Sequence, residues 1–136
     1  MKTRFETGWK KLLEIDGDAG EAVISSLQSI APDLGKYILE FAFGDIYSRP
    51  GLDLQQRQLV TVASLTTQGA CEPQLEVHIN AALNVGLTAN QIVEAIMHCS
   101  PYVGFPRVLN AIKVGQNVFA KRGIAPEWKE ATGNVS

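Results

Sequence analysis

No stretch of this chain reaches the ~20 consecutive apolar residues that a membrane-spanning helix requires, and the charged opening from Met1 to Lys11 lacks the apolar core of a secretory signal. Both absences point to a cytoplasmic protein without a membrane partner. Lysine and arginine cluster nowhere and the formal net charge is -2, so no basic surface is expected for nucleic acid or acidic lipid. There is no phosphate loop, no Gly-x-Gly-x-x-Gly turn and no Gly-x-Ser-x-Gly elbow, which disfavours the common cofactor folds. Metal binding is disfavoured as well. The chain has no His-Glu-x-x-His or paired-cysteine spacing, and its two histidines stand twenty residues apart. Its two cysteines, 28 positions apart, are expected to stay reduced in a cytosolic domain.

What remains is ordinary for a globular protein, with 46% hydrophobic and 19% charged residues over a length of 136 that suits one domain. No convincing alternating strand pattern occurs. Apolar residues recur at helical spacing, and the predicted fold is all-α, a compact bundle of about six to seven helices. Residues 1–50 form N-terminal helices, 53–123 a core and 125–136 a polar tail apart from Trp128. Phe5, Trp9, Leu12 and Leu13 mark the first helix; Leu34, Tyr37, Ile38, Phe41 and Ile46 mark the third. Asp53 is expected to cap a helix with Leu54, Leu59, Val62, Ala63 and Thr66 on one face, although its β-branched residues also suit a strand. Thr88 caps another, which Pro101 interrupts. The last helix should turn Val108, Leu109, Ile112, Val118 and Phe119 inward and end at Gly123.

Both histidines and both cysteines lie between Cys71 and Pro106, on two successive predicted helices. Cys71 falls at a helix N-terminus, where the local positive potential lowers a thiol's pKa, and His78 follows two turns later on the same edge as Gln74 or Leu75. This edge could hold a nucleophile and a base, or a small buried cysteine and a core histidine. Glu94 and His98, four apart, could form an oriented pair with Tyr102 beyond, or simply a solvated edge. Cys99 is expected in the core.

The order of Arg57-Gln58-Leu59-Val60, His78-Ile79-Asn80-Ala81-Ala82-Leu83-Asn84-Val85-Gly86, Ile92-Val93-Glu94, Tyr102-Val103-Gly104-Phe105-Pro106 and Asn110-Ala111 resembles the carboxymuconolactone decarboxylase family. The resemblance runs from Leu54 to Gly123, about half of the chain. It implies the all-helical fold shared with the alkylhydroperoxidase D-like proteins, and assembly into trimers or hexamers. The peroxidase branch uses Cys-x-x-Cys with a histidine four residues later. His78 and Cys71 match that pattern, but Gln74 replaces the second thiol. Decarboxylase-type members more often have glutamate at the positions of Gln58 and Gln74, and glutamine at that of His98.

The activity so implied is cofactor-independent decarboxylation of a small carboxylated lactone such as 4-carboxymuconolactone, or of a related oxo acid. The unsaturated lactone is its own electron sink, so the protein must bind carboxylates, stabilise an oxyanion and return a proton. His78 is the expected proton or hydrogen-bond donor, assisted by Tyr102 or His98. Arg57 or Arg107 would clamp a carboxylate, and Leu75, Ile96 and Phe105 would form an apolar pocket. Gln74 and Glu94 complete the expected substrate-binding set. Two alternatives stand beside this reading: a thiol-dependent peroxidase or disulfide reductase using Cys71 with His78, and a non-catalytic acid-binding or assembly subunit.

Overall fold

The computed structural model describes residues 1–129, in which helices account for all the regular structure. The order is α1 (Arg4–Asp16), α2 (Asp18–Leu27), α3 (Pro32–Tyr37) running into a π-helical segment (Ile38–Ile46), α4 (Leu54–Gln68), α5 (Glu72–Asn84), α6 (Ala89–His98), α7 (Ser100–Val103) and α8 (Phe105–Lys121). The all-α expectation holds, and the β-branched run after Asp53 is helix. Of the polar tail expected over 125–136, residues 130–136 lie outside the described residues.

Local signals explain most boundaries. Asp53 and Thr88 each accept a hydrogen bond from the backbone N–H three residues on, while Gln56 and Gln91 reach back to the cap, so α4 and α6 both start in capping boxes. Pro73 lies in the first turn of α5, where its missing N–H costs nothing. α6 stops at His98, three residues before Pro101, which lies in the first turn of the short α7. Between α4 and α5 the chain turns through two left-handed residues, Gly69 at φ 69° and Ala70 at φ 54°. A β-carbon at Gly69 would come within 2.7 Å of Arg107 Nε, so the glycine also makes room for that side chain.

Two apolar clusters fill the interior. One joins α4, α5, α6 and α8 through Val62, Leu75, Ile79, Ala82, Ile92, Ile96, Val108, Val118 and Phe119. The other gathers Leu12, Ile15, Ile24, Leu39 and Phe43 of the N-terminal helices with Ala81 of α5. Helix α5 therefore faces both. The N-terminal half is close-packed through glycine: a β-carbon on Gly8 of α1 would overlap the Leu39 carbonyl oxygen of the π segment, and one on Gly44 would lie 2.8 Å from Arg4 O.

Two apolar stripes differ from expectation. Leu34, Tyr37, Phe41 and Ile46 face outward, and Leu39 and Phe43 are buried instead. For Phe41 and Ile46 the expected stripe assumed α periodicity, whereas the wider π turn places residues four and five apart on one face. In α8 the inner face is Val108, Ala111, Gly115 and Val118, a regular three-four spacing that leaves Leu109 65% exposed.

One buried group opposes folding at neutral pH. Asp16, at the end of α1, is 7% exposed and its Oδ1 has no partner, and burial pushes its carboxyl up to about 6. A carboxyl whose pKa is raised in the fold binds more protons folded than unfolded. Stability is therefore lost as pH rises from about 4 through 6 and stays low above, by roughly 3 kcal/mol for a carboxyl raised to about 6. Asp16→Asn should raise the melting temperature by at least ~5 °C at pH 7.5 and leave it unchanged near pH 4, as read by circular dichroism. Gly8→Ala should destabilise by at least ~2 kcal/mol in denaturant titration, whereas Gly51→Ala, where a β-carbon meets nothing within 4 Å, should cost under ~0.5 kcal/mol.

Candidate active site

Helix α4 presents Leu54, Gln58, Val62 and Thr66 at four-residue intervals, and this row faces inward. Gln58 and Thr66 are the polar members, both essentially without solvent exposure. Thr66 satisfies itself by donating to Val62 O at 2.8 Å. Gln58 instead reaches across to α5, where its Oε1 stands 3.3 Å from His78 Nδ1. With the amide oxygen facing the ring, Nδ1 carries the proton of the neutral imidazole and Nε2 keeps its lone pair. Burial lowers the His78 pKa below its ordinary value, so the ring is neutral at pH 7 and its protonated form is an unusually ready acid.

Tyr47 approaches the same row from the end of the π segment. Its N–H bonds back five residues to Ala42 O at 2.8 Å, its ring stacks on Phe43 with centroids 5.0 Å apart, and its hydroxyl lies 2.9 Å from Thr61 Oγ1. Thr61 spends its own proton on Arg57 O at 2.9 Å, which makes Tyr47 the donor. Burial raises the Tyr47 pKa, opposed by Thr61 and Gln58, and Asp16 adds to the rise through its charge. Arg57, half-buried, donates from Nη2 to Arg49 O at 2.9 Å. Tyr47 and Arg57 line a cleft of about 70 Å³ with Ile46, Leu52 and Val60. A buried imidazole held by an amide can move a proton, and the Arg57 guanidinium near the Tyr47 hydroxyl can bind an anion.

The residues singled out from sequence fall in three places. His78 and Arg57 belong to the row just described. Cys71 caps α5 and donates its thiol proton to Leu65 O at 3.3 Å, lining a crevice with Glu72, Arg107 and Asn110, while Gln74 is exposed on the first turn. Arg107 packs over Gly69 and is otherwise exposed. Glu94 and His98 line a broad apolar groove with Leu59, Val60 and Met97, and Tyr102, 77% exposed, holds its ring 5.8 Å from that of His98. The apolar pocket expected from Leu75, Ile96 and Phe105 does not form. Leu75 and Ile96 are sealed in the core, whereas Phe105 is 70% exposed at the start of α8. Cys99 is buried as expected, and both thiols are free.

Gln58, Tyr47, Thr61 and Asp16 were not read as site residues from sequence. For Gln58 a signal existed, because a glutamine between Leu54 and Val62 interrupts an apolar row. Tyr47 carries no such signal in sequence, and the π turn before it brings its hydroxyl to Thr61. Among the described residues, no three His, Cys, Asp or Glu side chains gather as a metal ion would need.

The chain is 36% identical over 125 residues to the 4-carboxymuconolactone decarboxylase of Acinetobacter baylyi, covering 91% of this chain and 92% of that one. It is 34% identical over 115 residues to the nitrosuccinic acid decarboxylase of Metarhizium robertsii, covering 82% and 78%. Residues 32–117 match the sequence model of the carboxymuconolactone decarboxylase family, reaching further back than the likeness read from Leu54 and taking in α3 and the π segment. The chain belongs to the carboxymuconolactone decarboxylase family.

Proposed function

We propose that the protein is a cofactor-independent carboxy-lyase that uses His78 to return a proton to carbon after CO2 leaves. The observation that carries this reading is the 3.3 Å contact between His78 Nδ1 and the fully buried Gln58, which orients a neutral imidazole inside the fold. A decarboxylase-like activity is what the names of two relatives share. Their named substrates also have a chemical trait in common. Carboxymuconolactone contains an unsaturated lactone and nitrosuccinic acid a nitro group, and either can accept the electron pair that a departing CO2 leaves behind.

For a carboxylated unsaturated lactone the steps balance without a further reagent. The bond between the ring carbon and the carboxylate breaks, CO2 departs, and the electron pair moves through the ring to the lactone carbonyl oxygen as a dienolate. Imidazolium Nε2 then gives its proton to carbon, and the neutral ring regains one from solvent. Gln58 keeps Nδ1–H engaged throughout, so Nε2 is the atom that faces the reaction. Because burial lowers the His78 pKa, the imidazolium is a stronger acid than an ordinary histidine and readily protonates the dienolate. Of the two candidate clamps, Arg57 lies near the Tyr47 hydroxyl that Gln58 also reaches, while Arg107 lies over Gly69. Tyr102, His98, Glu94, Phe105 and Gln74 take no part in this scheme. No observation favours the thiol reading, because the Cys71 proton is engaged by Leu65 O.

Release of CO2 from 4-carboxymuconolactone, followed by absorbance, is the assay. Purified, folded His78→Ala should lose at least ~100-fold in kcat, and full retention of activity would remove His78 from the mechanism. Since the protonated ring is the working form and its pKa lies below 6.5, kcat/KM should fall as pH rises, with its break below pH 6.5. A profile flat between pH 5 and 8 would contradict the role.

A further inference from the structure

An amide between two partners has a direction, and the direction of the Gln58 amide decides the state of His78. Gln58 has no solvent exposure, and the end of its side chain that faces the ring stands 3.3 Å from His78 Nδ1. That contact does not choose a direction by itself. A neutral imidazole can donate from Nδ1 to an amide oxygen, or accept at Nδ1 from an amide NH2. The choice comes from the other end of the amide, where Nε2 meets no partner at full hydrogen-bond geometry and approaches the Tyr47 hydroxyl oxygen as a donor.

The protons beyond that point have only one consistent arrangement. Thr61 has a single hydroxyl proton and gives it to the Arg57 carbonyl one turn back on α4, at 2.9 Å. Toward Tyr47 its oxygen can only accept, so the 2.9 Å contact between the two hydroxyls carries the tyrosine's proton. Burial keeps that proton in place at neutral pH. With its proton spent on Thr61, the Tyr47 oxygen attracts the NH2 of Gln58 and repels its carbonyl oxygen, which is left for His78. We propose that Tyr47 is a positioning residue: held by Thr61, it fixes the direction of the Gln58 amide and thereby sets which nitrogen of His78 carries the proton. Its part in turnover rests on the decarboxylase reading, whereas its effect on the ring does not. Without the tyrosine hydroxyl, or with its proton released by loss of the Thr61 hydroxyl, the amide is free to turn its NH2 toward Nδ1. The ring then keeps its proton on Nε2 and has no acceptor for one on Nδ1, so the imidazolium that the reaction needs is disfavoured.

Proton–nitrogen correlation spectra of the histidine rings at pH 7.5 read the tautomer directly, with the exposed His98 as an ordinary ring for comparison. In the wild-type protein His78 should carry its proton on Nδ1, a readout that needs no variant. Tyr47→Phe and Thr61→Val, each checked for folding by circular dichroism, should move the proton to Nε2 and lower kcat for CO2 release at least ~10-fold. Thr61→Ser, which retains the hydroxyl, should keep the wild-type tautomer. A packing role alone would lower the melting temperature of these variants and leave the proton on Nδ1. The proposal is overturned if wild-type His78 is protonated on Nε2, if Tyr47→Phe or Thr61→Val leaves the tautomer unchanged, if Thr61→Ser shifts it, or if kcat stays within twofold of wild type once the proton has moved. The two readings fail separately. Full turnover in His78→Ala removes the reaction scheme and leaves the control of the ring by Tyr47 standing, whereas an unmoved tautomer in Tyr47→Phe removes the positioning role and leaves the decarboxylase reading intact.

Discussion

Helix α5 is buried on two sides, and the rest of the molecule is arranged around that constraint. Ala81 meets the N-terminal cluster of Leu12, Ile15, Leu39 and Phe43, while Leu75, Ile79 and Ala82 belong to the cluster shared by α4, α6 and α8. Two consecutive alanines, both without exposure, let neighbouring helices approach from either side. The far end of α5 is tied down by polar contacts: Asn84 Nδ2 donates to Ile15 O at 3.0 Å, and Arg122 Nη1 donates to the Asn80 and Asn84 side-chain oxygens at 3.1 and 3.2 Å. His78 lies one turn before the alanine pair, so its ring inherits a backbone fixed from both flanks.

The electrostatics of the interior follow from the same burial. Asp16 and His78 carry opposite charges when ionised, yet the fold disfavours the charged form of each. Their effects on stability consequently run in opposite directions. Asp16 erodes stability as pH rises toward 6, whereas protonating His78 erodes it as pH falls below the ordinary histidine range. A neutral, water-poor surround also strengthens each hydrogen bond made within it.

Much of the fold could be read in advance because its signals are local. The caps at Asp53 and Thr88, the break at Pro101 and the inward turn of Val108, Val118 and Phe119 each depend on a few neighbouring residues. The site was less open to such reading. His78 and Arg57 were singled out by residue type and by likeness to a family, but the network that joins them runs through Gln58, Thr61 and Tyr47, whose meaning comes from long-range approach. Tyr47 and Thr61 are fourteen residues apart, and Gln58 and His78 twenty. Leu109 shows the reverse error, an apolar residue expected in the interior although its angular position on α8 points outward.

The π-helical segment makes chain length itself part of the site. From Ile38 to Ile46 each hydrogen bond spans one residue more than in an α-helix, and the last of them, from Tyr47 N to Ala42 O, sets the angle at which the tyrosine meets Thr61. A deletion that let this stretch close as ordinary α-helix would remove the five-residue bond from Tyr47 N to Ala42 O that orients the tyrosine, with no change in the tyrosine itself. Insertions and deletions between Ile38 and Tyr47 are thus a separate route to loss of the site, one that residue-by-residue comparison at Tyr47, Arg57, Gln58 and His78 would miss.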